Sequence, residues 1–374
     1  MKKIFVNATS CTVGGSKTIL LQFINNMKKS NVNNICYYLF VADKKEIQDF
    51  NDINDENLVV IEVKAKKWKD RLYWDFFGMK LWSEKNEINP DKIISLQNTG
   101  VNYNKEVKQI IYLHTPIPFV TYKWNIINKE ERKLWFYKYV YPFFIKKWIN
   151  SNTEFVVQSE WLKKSVSKKL KVNKNKIHVF FPDLPQVKLN SIEVEKNDHE
   201  TSDFLFYPAM NYVYKNHNVI IQALKRIKVT NYSIYKRIKI VFTLDGNSNV
   251  AKKSKESGVQ SRIKFTGMLN KEEVDYYYNN SKAVLFPSYI ETFGLPLLEA
   301  KMYKKQILAS NELFSQEILN DYAGVKFIDK FSSEDWANHI IEIYSKKIVN
   351  KHIEKKENVN IKTWSDFFVY VNNF

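Results

Sequence analysis

The chain has 374 residues, of which 44% are hydrophobic and 26% are charged. This composition is that of a folded globular protein of about two or three domains, and it excludes a disordered or fibrous chain. The only cysteines are Cys11 and Cys36, so disulfides cannot be the main source of stability, and a reducing cytoplasmic compartment is expected. The apolar run after Lys3 is too short for a signal peptide, and lysines interrupt the most apolar stretch, residues 134–149. We therefore predict no membrane-spanning helix.

Positive charge is concentrated in the first half of the chain. Lys and Arg number 58 against 40 Asp and Glu, which gives a net charge of +18. Residues 1–180 hold 31 basic and 17 acidic residues and the remainder holds 27 and 23, so the halves carry +14 and +4. A field of this strength favours an anionic partner for the first half, either nucleic acid or the anionic inner leaflet of a membrane. The alternative is that coding bias enriches lysine and that most lysines lie on solvated faces.

In the first half, short apolar runs alternate with helical patterns. Residues 4–6 predict a strand, Gly14 and Gly15 follow it, and residues 18–27 predict an amphipathic helix. Further strands are predicted at 36–41, 58–63, 92–96, 109–114 and 154–158. The two glycines would let a ligand approach the backbone closely. They do not form a P-loop, because a serine separates the second glycine from the lysine, and the dinucleotide fingerprint lacks its third glycine.

A polar and charged segment, residues 182–202, interrupts this alternation, and we interpret it as a linker. Strands are then predicted at 203–207, 239–244, 263–265 and 283–287, with helices at 217–227, 271–279 and 361–374. The whole pattern is typical of an α/β fold with two doubly wound, Rossmann-like domains, each on a parallel sheet. We expect these domains at 1–181 and 203–356, facing each other across a cleft.

The strongest chemical signal follows the strand predicted at 283–287. Residues 286–300 read FPSYIETFGLPLLEA, with Glu291 in a loop, Pro296 at the predicted first helical position and Glu299 in the first helical turn. The amides and dipole at such a helix N-terminus bind phosphate, and Gly294 lets the backbone come close. Carboxylates on either side could accept hydrogen bonds from sugar hydroxyls, as in ribose recognition. Alternatively, Glu299 only complements the helix dipole and Glu291 is a solvated loop residue.

The two glutamates, separated by seven residues that include Phe-Gly-Leu-Pro, resemble the motif of retaining nucleotide-sugar glycosyltransferases with the GT-B fold, family 4 or group 1. The resemblance implies that Glu291 lies beside the donor sugar and that Glu299 binds the ribose of the nucleotide. It implies that contacts to the donor diphosphate come from Thr292, Phe293, Gly294 and Leu295. It also implies no metal, and the sequence has no Asp-any-Asp motif of the kind that holds a cation on a diphosphate.

The same resemblance bears on a lysine in the second half. Lys215 precedes the predicted helix 217–227, where a cation could offset diphosphate charge and stabilise the leaving group. The residue pattern alone would also allow Lys215 to be one lysine among many. The family places an arginine about five residues before this lysine, and Met210 occupies that position here.

In the first half, the resemblance singles out the ends of two predicted strands. His114 would contact the donor sugar, although a lone histidine is more often a structural residue. Gly14 and Gly15 would face the diphosphate and the acceptor, although a plain strand-to-helix turn uses the same residues. The GT-B fold also implies that the C-terminal helix, within residues 357–374, packs back on the first domain.

Two segments of the first half, residues 64–82 and 124–148, interleave lysines with aromatic residues. Such a composition favours the headgroup region of an anionic bilayer, with rings at the interface and cations over phosphates. It would also suit single-stranded nucleic acid, whose bases stack on aromatic rings. A third interpretation is that most of the rings are core and only the lysines are exposed.

We therefore predict a hexosyltransferase that needs neither cofactor nor metal and uses Glu291, His114 and Lys215 as catalytic residues. It would move a sugar, with retention, from a nucleotide-diphosphate donor to a saccharide hydroxyl. The acceptor would be lipid-linked, at the inner face of the plasma membrane, as in bacterial capsule or O-antigen assembly, and no nucleic-acid partner is expected. The alternatives are a non-catalytic nucleic-acid-binding protein, which leaves the two glutamates unexplained, and a sugar-nucleotide hydrolase or epimerase on the same fold.

Overall fold

The computed structural model describes residues 1–12, 14–30, 34–47, 57–183, 203–345 and 362–372. The chain divides into two compact units: unit 1 comprises Met1–Leu184 and Val359–Phe374, and unit 2 comprises Pro185–Asn358. Most of the predicted linker, residues 184–202, lies outside the described residues, as do residues 357–361 of the predicted C-terminal segment.

Unit 1 is built on a parallel sheet, and within its described residues this sheet has seven strands. They are β1 (Lys2–Asn7), β2 (Ile35–Val41), β3 (Leu58–Glu62), β4 (Lys92–Ser95), β5 (Lys108–Leu113), β6 (Thr153–Val157) and β7 (Ile177–Val179). Their order is β3-β2-β1-β4-β5-β6-β7, and every neighbouring pair is parallel. Successive residues of β1 pack into different apolar clusters, Ile4 and Val6 into one and Phe5 into another. Burial on both faces explains why the strand reads as a continuous apolar run.

Helices connect these strands. Those of unit 1 are α1 (Gly14–Lys29), α2 (Trp68–Tyr73), α3 (Met79–Asn86), α4 (Arg132–Tyr139), α5 (Tyr141–Lys146), α6 (Glu160–Leu170) and the C-terminal α14 (Trp364–Asn372). Residues Trp74–Gly78, between α2 and α3, are π-helical. Such a segment carries one wide turn, which is frequent at functional sites. No helix of the described residues is long and apolar enough to cross a bilayer.

The C-terminal helix is part of the core of unit 1. The ring of Trp364 stacks on Tyr112 of β5 at a centroid distance of 5.0 Å, and its indole N–H donates to Gln22 of α1. Phe368 packs on Phe23 of α1. At the end of the helix, the Lys92 ammonium donates to the carbonyl of Val371 over 2.6 Å, which satisfies a carbonyl that no further helical turn would cover.

Unit 2 repeats the architecture with a sheet that, in its described residues, has six parallel strands. They are β8 (Leu205–Tyr207), β9 (Ile240–Phe242), β10 (Ile263–Phe265), β11 (Ala283–Phe286), β12 (Gln306–Ser310) and β13 (Val325–Ile328), in the order β10-β9-β8-β11-β12-β13. The helices are α7 (His217–Thr230), α8 (Tyr232–Tyr235), α9 (Asn249–Glu256), α10 (Lys271–Asn280), α11 (Leu295–Met302), α12 (Leu313–Leu319) and α13 (Ser333–Ser345). Both units are thus α/β with parallel sheets, as the sequence predicts.

Removing the Trp364 side chain should destabilise unit 1. Trp364 is 1% exposed, and truncating a buried tryptophan to alanine costs about 3–5 kcal/mol of unfolding free energy. Val369 lies on the same helix but is 57% exposed, so Val369→Ala should change stability by less than about 0.5 kcal/mol. Urea unfolding of both variants followed by circular dichroism measures the difference. Equal midpoints for Trp364→Ala and wild type would contradict the packing of α14 described above.

Candidate active-site residues

In the sheet of unit 2 the strand order reverses between β8 and β11, which are neighbours although far apart in sequence. In open parallel sheets, ligands bind outside the carboxyl ends of the strands at such a reversal, because the two flanking loops diverge and leave a crevice. The loop after β8 carries Met210 and Lys215, and the loop after β11 carries Glu291. Residues predicted from separate parts of the sequence are therefore adjacent at one edge of the sheet.

Lys215 and Glu291 form an ion pair. The Lys215 Nζ contacts the Glu291 Oε1, and the two side chains are only 14% and 15% exposed. The Ser288 hydroxyl, itself buried, donates to the same carboxylate oxygen over 3.0 Å. The Tyr207 hydroxyl donates to the carbonyl of Lys215 over 2.6 Å, so both members of the pair are held by neighbours. This arrangement places a cation and an oriented carboxylate side by side at the carboxyl ends of the strands.

The turn that carries Glu291 leads directly into α11. Gly294 has φ +95° and caps the helix, and a Cβ there would lie 3.3 Å from the Ile318 side chain. Glycine is thus required both by the left-handed backbone and by the close packing. Helix α11 begins at Leu295, which places Pro296 at its second position. Thr292 and Leu295 are partly exposed and Phe293 is buried.

Two details predicted for this turn are wrong. Because Gly294 supplies the cap, the helix begins one residue before the predicted first position, Pro296, and Glu299 falls in the second turn instead of the first. A carboxylate in the second turn interacts less with the dipole, whose effect is confined to the first turn. This weakens the interpretation of Glu299 as a dipole-complementing residue.

Glu299 faces a different set of neighbours from Glu291. The Tyr278 hydroxyl of α10 donates to its Oε2 over 3.0 Å, and the Lys271 ammonium lies 3.8 Å from its Oε1. Burial raises the pKa of Glu299, while Lys271 and the Tyr278 hydroxyl oppose that shift. Lys271 is also paired with Asp275 over 2.5 Å. The carboxylate is therefore oriented by α10 before any ligand binds.

The position of the expected clamp arginine is apolar in space as well as in sequence. Met210 is 55% exposed on the loop after β8. Lys330, on the loop after β13, has its ammonium 2.7 Å from the Glu312 carboxylate. The Asn216 amide donates to the carbonyl of Lys330 over 2.6 Å and so ties the Lys215 turn to the loop after β13.

In unit 1 the strand order reverses between β1 and β4. Gly14 and Gly15 lie in the first turn of α1, which begins four residues before the predicted Thr18, and Gly14 has φ +59°. A Cβ built on either glycine would meet no atom within 4 Å. The space above this first turn is therefore open to a ligand.

His114 follows the last residue of β5 and is held from two sides. Its Nε2 lies 3.0 Å from the Asn98 amide nitrogen and 3.1 Å from the carbonyl oxygen of Leu96. The Asn98 side-chain oxygen accepts from the backbone N–H groups of His114 and Thr115 over 2.7 and 3.0 Å, which fixes which end of the amide faces the ring. Burial lowers the pKa of His114 to about 4, so the ring is neutral near pH 7. It can therefore act through a neutral imidazole, not through an imidazolium.

The sequence analysis missed one group of functional interest in unit 1. Asp75, in the π-helical segment, is buried and accepts hydrogen bonds from Asn7, Gln97 and Thr99. An acid within the apolar run Tyr-Trp-Asp-Phe-Phe was the available signal. Within the described residues, no group of three His, Cys, Asp or Glu side chains is placed to hold a metal ion.

Two parallel-sheet α/β units define the GT-B class of glycosyltransferase folds, and solved structures of that class resemble this chain. The crystal structure of WaaG, a glycosyltransferase involved in lipopolysaccharide biosynthesis, matches with a TM-score of 0.66 and 13% identity, over 92% of this chain and 90% of that one. Residues 187–359 match the family described as glycosyl transferases group 1. The resemblance predicted from the paired glutamates, which fall inside this segment, is thereby confirmed.

Two curated proteins are similar in sequence. An uncharacterized 41.2 kDa protein in the cps region of Klebsiella pneumoniae is 24% identical over 285 residues, which cover 69% of this chain and 74% of that protein. The O-antigen chain mannosyltransferase C of Escherichia coli is 26% identical over 229 residues, which cover 55% of this chain and 57% of that protein.

Replacing Gly294 by alanine should strain the turn before α11. An L-residue at φ +95° costs about 1–3 kcal/mol, and the added Cβ would also press on Ile318. Gly246 offers a matched control, because a Cβ there meets nothing within 4 Å and its φ is not positive. We expect Gly294→Ala to lower the urea midpoint and Gly246→Ala to leave it nearly unchanged. The same shift in both variants would mean that the turn is not specially constrained.

Proposed function

We propose that this protein is a retaining glycosyltransferase that moves a hexose from a nucleotide-diphosphate sugar to a saccharide hydroxyl in the assembly of a bacterial surface polysaccharide. The observation that carries the proposal is the Lys215–Glu291 pair at the strand reversal of unit 2, beside the N-terminus of α11. The match to group 1 glycosyltransferases supports it, and so do relatives named for a cps region and for O-antigen mannose transfer.

In the proposed reaction, the residues of unit 2 bind the donor. The Lys215 ammonium and the first amides of α11, with backbone from Thr292 to Leu295, would neutralise charge that builds up on the leaving diphosphate. Glu291 would accept a hydrogen bond from the transferred sugar, and Glu299 would accept from the ribose hydroxyls. Neither step needs a metal, because the charge of the leaving group is met by these fixed donors.

Retention follows if the acceptor attacks on the face from which the diphosphate departs. The acceptor oxygen forms the new bond to the anomeric carbon while the bond from that carbon to the phosphate oxygen breaks. The proton of the acceptor hydroxyl passes to the departing phosphate oxygen, so no protein base is consumed. His114, neutral near pH 7, would act as a hydrogen-bonding partner for a hydroxyl of the sugars. The glycines at the start of α1 would let a substrate approach that turn.

The two glutamates should separate catalysis from donor binding. Glu291→Gln keeps an oxygen for Ser288 but loses its charge, so we expect kcat to fall by about 100-fold while the donor still binds. Glu299→Gln should instead weaken donor binding by roughly tenfold, because it replaces charge-assisted hydrogen bonds. A thermal-shift panel of UDP-, GDP-, ADP- and dTDP-sugars, followed by turnover with the donor that binds, measures both effects.

The pH dependence of donor binding gives an additional check. Because burial raises the pKa of Glu299, its carboxylate is lost at higher pH than for an ordinary glutamate as the solution is acidified. Donor affinity should weaken over that range in wild type and not in Glu299→Gln. Glu334→Gln, in an exposed ion pair with Arg226, is the control for loss of a charge.

For the catalytic prediction, normal turnover by a folded Glu291→Gln protein would refute the role proposed for Glu291.

We also propose that unit 1 binds the anionic inner face of the plasma membrane, where a lipid-linked acceptor would lie. Four rings from the two aromatic segments are at least half exposed, and we call them the aromatic patch: Trp68, Tyr73, Phe77 and Phe143. Trp68 of α2 contacts Phe144 of α5 at 5.5 Å, so the two segments are adjacent, and the Lys147 ammonium lies 5.7 Å from the Phe143 ring. Others, such as Trp74 and Trp124, are core. Exposed rings beside lysines complement an anionic headgroup layer.

Vesicle sedimentation tests this location. Trp68→Ser/Phe143→Ser should lower binding to vesicles of phosphatidylglycerol and phosphatidylethanolamine by about tenfold, because two rings lose roughly 1 kcal/mol or more of apolar burial. The matched control, Val229→Ser/Tyr232→Ser, removes two exposed apolar side chains of unit 2 and should bind like wild type. Equal, negligible binding of wild type to anionic and to phosphatidylcholine vesicles would contradict the proposal. Salt-sensitive binding to single-stranded RNA without binding to vesicles would favour a nucleic-acid partner instead.

A further inference from the structure

Asp75 is a buried carboxylate to which the proposed reaction assigns no part. It lies in the π-helical segment Trp74–Gly78 and is 6% exposed. Its hydrogen-bond donors come from the ends of the two strands at which the order of the unit 1 sheet reverses. The Asn7 amide, at the end of β1, and the Gln97 amide, just beyond β4, donate to Oδ1 over 2.9 and 2.7 Å. The Thr99 hydroxyl donates to Oδ2 over 3.1 Å.

One branch of this network leads to the loop after β1. Because the Gln97 NH2 group donates to Asp75, its carbonyl oxygen must face the other way. That oxygen accepts from the Thr9 hydroxyl over 2.8 Å and from the backbone N–H of Ser10 over 3.1 Å. Asp75 thus determines which end of the Gln97 amide meets the loop that leads towards α1.

The other branch leads to His114. Asn98 lies between Gln97 and Thr99, the two residues that Asp75 holds, and has a left-handed backbone with φ +69°. Asparagine is one of the few residues with a side chain that adopt this conformation routinely, so Asn98 can lie here without strain. From that position the Asn98 side chain accepts from the backbone of His114 and places its NH2 group 3.0 Å from the His114 ring.

We propose that Asp75 is a positioning residue for the transfer reaction, which fixes the orientation of His114 through Asn98 and the loop at residues 8–12 through Gln97. This inference rests on the function proposed above. Asp75 itself does not contact substrate, because it is buried beneath His114 and the loop at residues 8–12. It acts by restricting groups whose misplacement by about 1 Å can cost two orders of magnitude in rate.

The surroundings of Asp75 allow it to change protonation state near neutral pH. Burial raises its pKa to about 7, against the hydrogen bonds from Asn7, Thr99 and Gln97 and the nearby charge of Arg71. The other titratable groups close by are Cys11, whose pKa burial raises to about 12, and Tyr141, whose pKa burial also raises. Both are neutral at pH 7, so among the described residues Arg71 is the charged group that acts on Asp75. When protonated, Asp75 can donate to Thr99 while Oδ1 keeps its two donors.

Three variants test the proposal. Asp75→Asn keeps Oδ1 for Asn7 and Gln97 and offers an NH2 group to Thr99, so it should retain acceptor kinetics within about threefold. If the activity of wild type plotted against pH has an inflection near pH 7, the profile of Asp75→Asn should lack it. Asp75→Ala breaks the network, so kcat/KM for the acceptor should fall by about 10–100-fold while the thermal shift produced by the nucleotide-sugar is unchanged. Ser83→Ala, which removes a buried hydroxyl from α3 outside the network, should match wild type.

A readout that does not depend on activity is the two-dimensional long-range 1H–15N NMR spectrum of the histidine rings, assigned through a His114→Gln variant. Asp75→Ala should move the His114 signals, Asp75→Asn should largely restore them and Ser83→Ala should leave them in place. If Asp75→Ala does not fold, Gln97→Met replaces it as the test, because it removes the amide that donates to Asp75. His114 signals and acceptor kinetics like those of wild type in the network-breaking variant would overturn the inference. A wild-type protein that neither binds nor turns over any nucleotide-sugar would instead refute the proposed function, and the NMR comparison would still test the positioning.

Discussion

The reversal of strand order in each sheet is the constraint on which the candidate sites depend. Parallel strands all end at one edge, but only where the order reverses do two loops leave that edge in opposite directions and open a crevice. In unit 2 the reversal lies between β8 and β11, and it brings Lys215 against Glu291. In unit 1 it lies between β1 and β4, where Asn7 and Gln97 meet over Asp75. The strand order therefore brings together the residues of both polar clusters, although their sequences have nothing in common.

The sequence was sufficient for those features that depend on short-range pattern. Apolar runs with helical patterns between them can only be buried in a parallel sheet, so the α/β class followed, and with it the edge at which strand ends meet. Lys215 and Glu291 could be expected at that edge because each follows a predicted strand. Gly294 could be expected because a strand-to-helix turn before proline favours glycine. The start of α11 was misjudged by one residue, since the pattern does not say whether glycine or proline supplies the cap.

Other features depend on contacts that no local pattern encodes. The strands β7, β12 and β13 were not predicted, because runs of three to five residues such as Val325–Ile328 resemble any short apolar stretch until a neighbouring strand pairs with them. Asp75 was missed for a related reason. Its donors lie 68, 22 and 24 residues away in sequence, and only the folded sheet shows that they share one carboxylate. The sequence also did not show which of the many rings are exposed. Trp68 is half exposed and Trp74 is buried, although they lie six residues apart.

The Lys215–Glu291 pair also explains how the site can be charged before a ligand arrives. A lysine that is only 14% exposed would be costly if it were unpaired, since removing charge from water is expensive and is offset only by a close partner. Glu291 supplies that partner through Oε1, which also accepts from Ser288, whereas Oε2 makes no hydrogen bond within the described residues. One oxygen therefore pairs with the buried lysine, and in the proposed reaction the other would accept from a sugar hydroxyl. In the proposed reaction a diphosphate would take over Lys215, and the Ser288 hydroxyl would then be the neighbour in the described residues that still holds the Glu291 carboxylate.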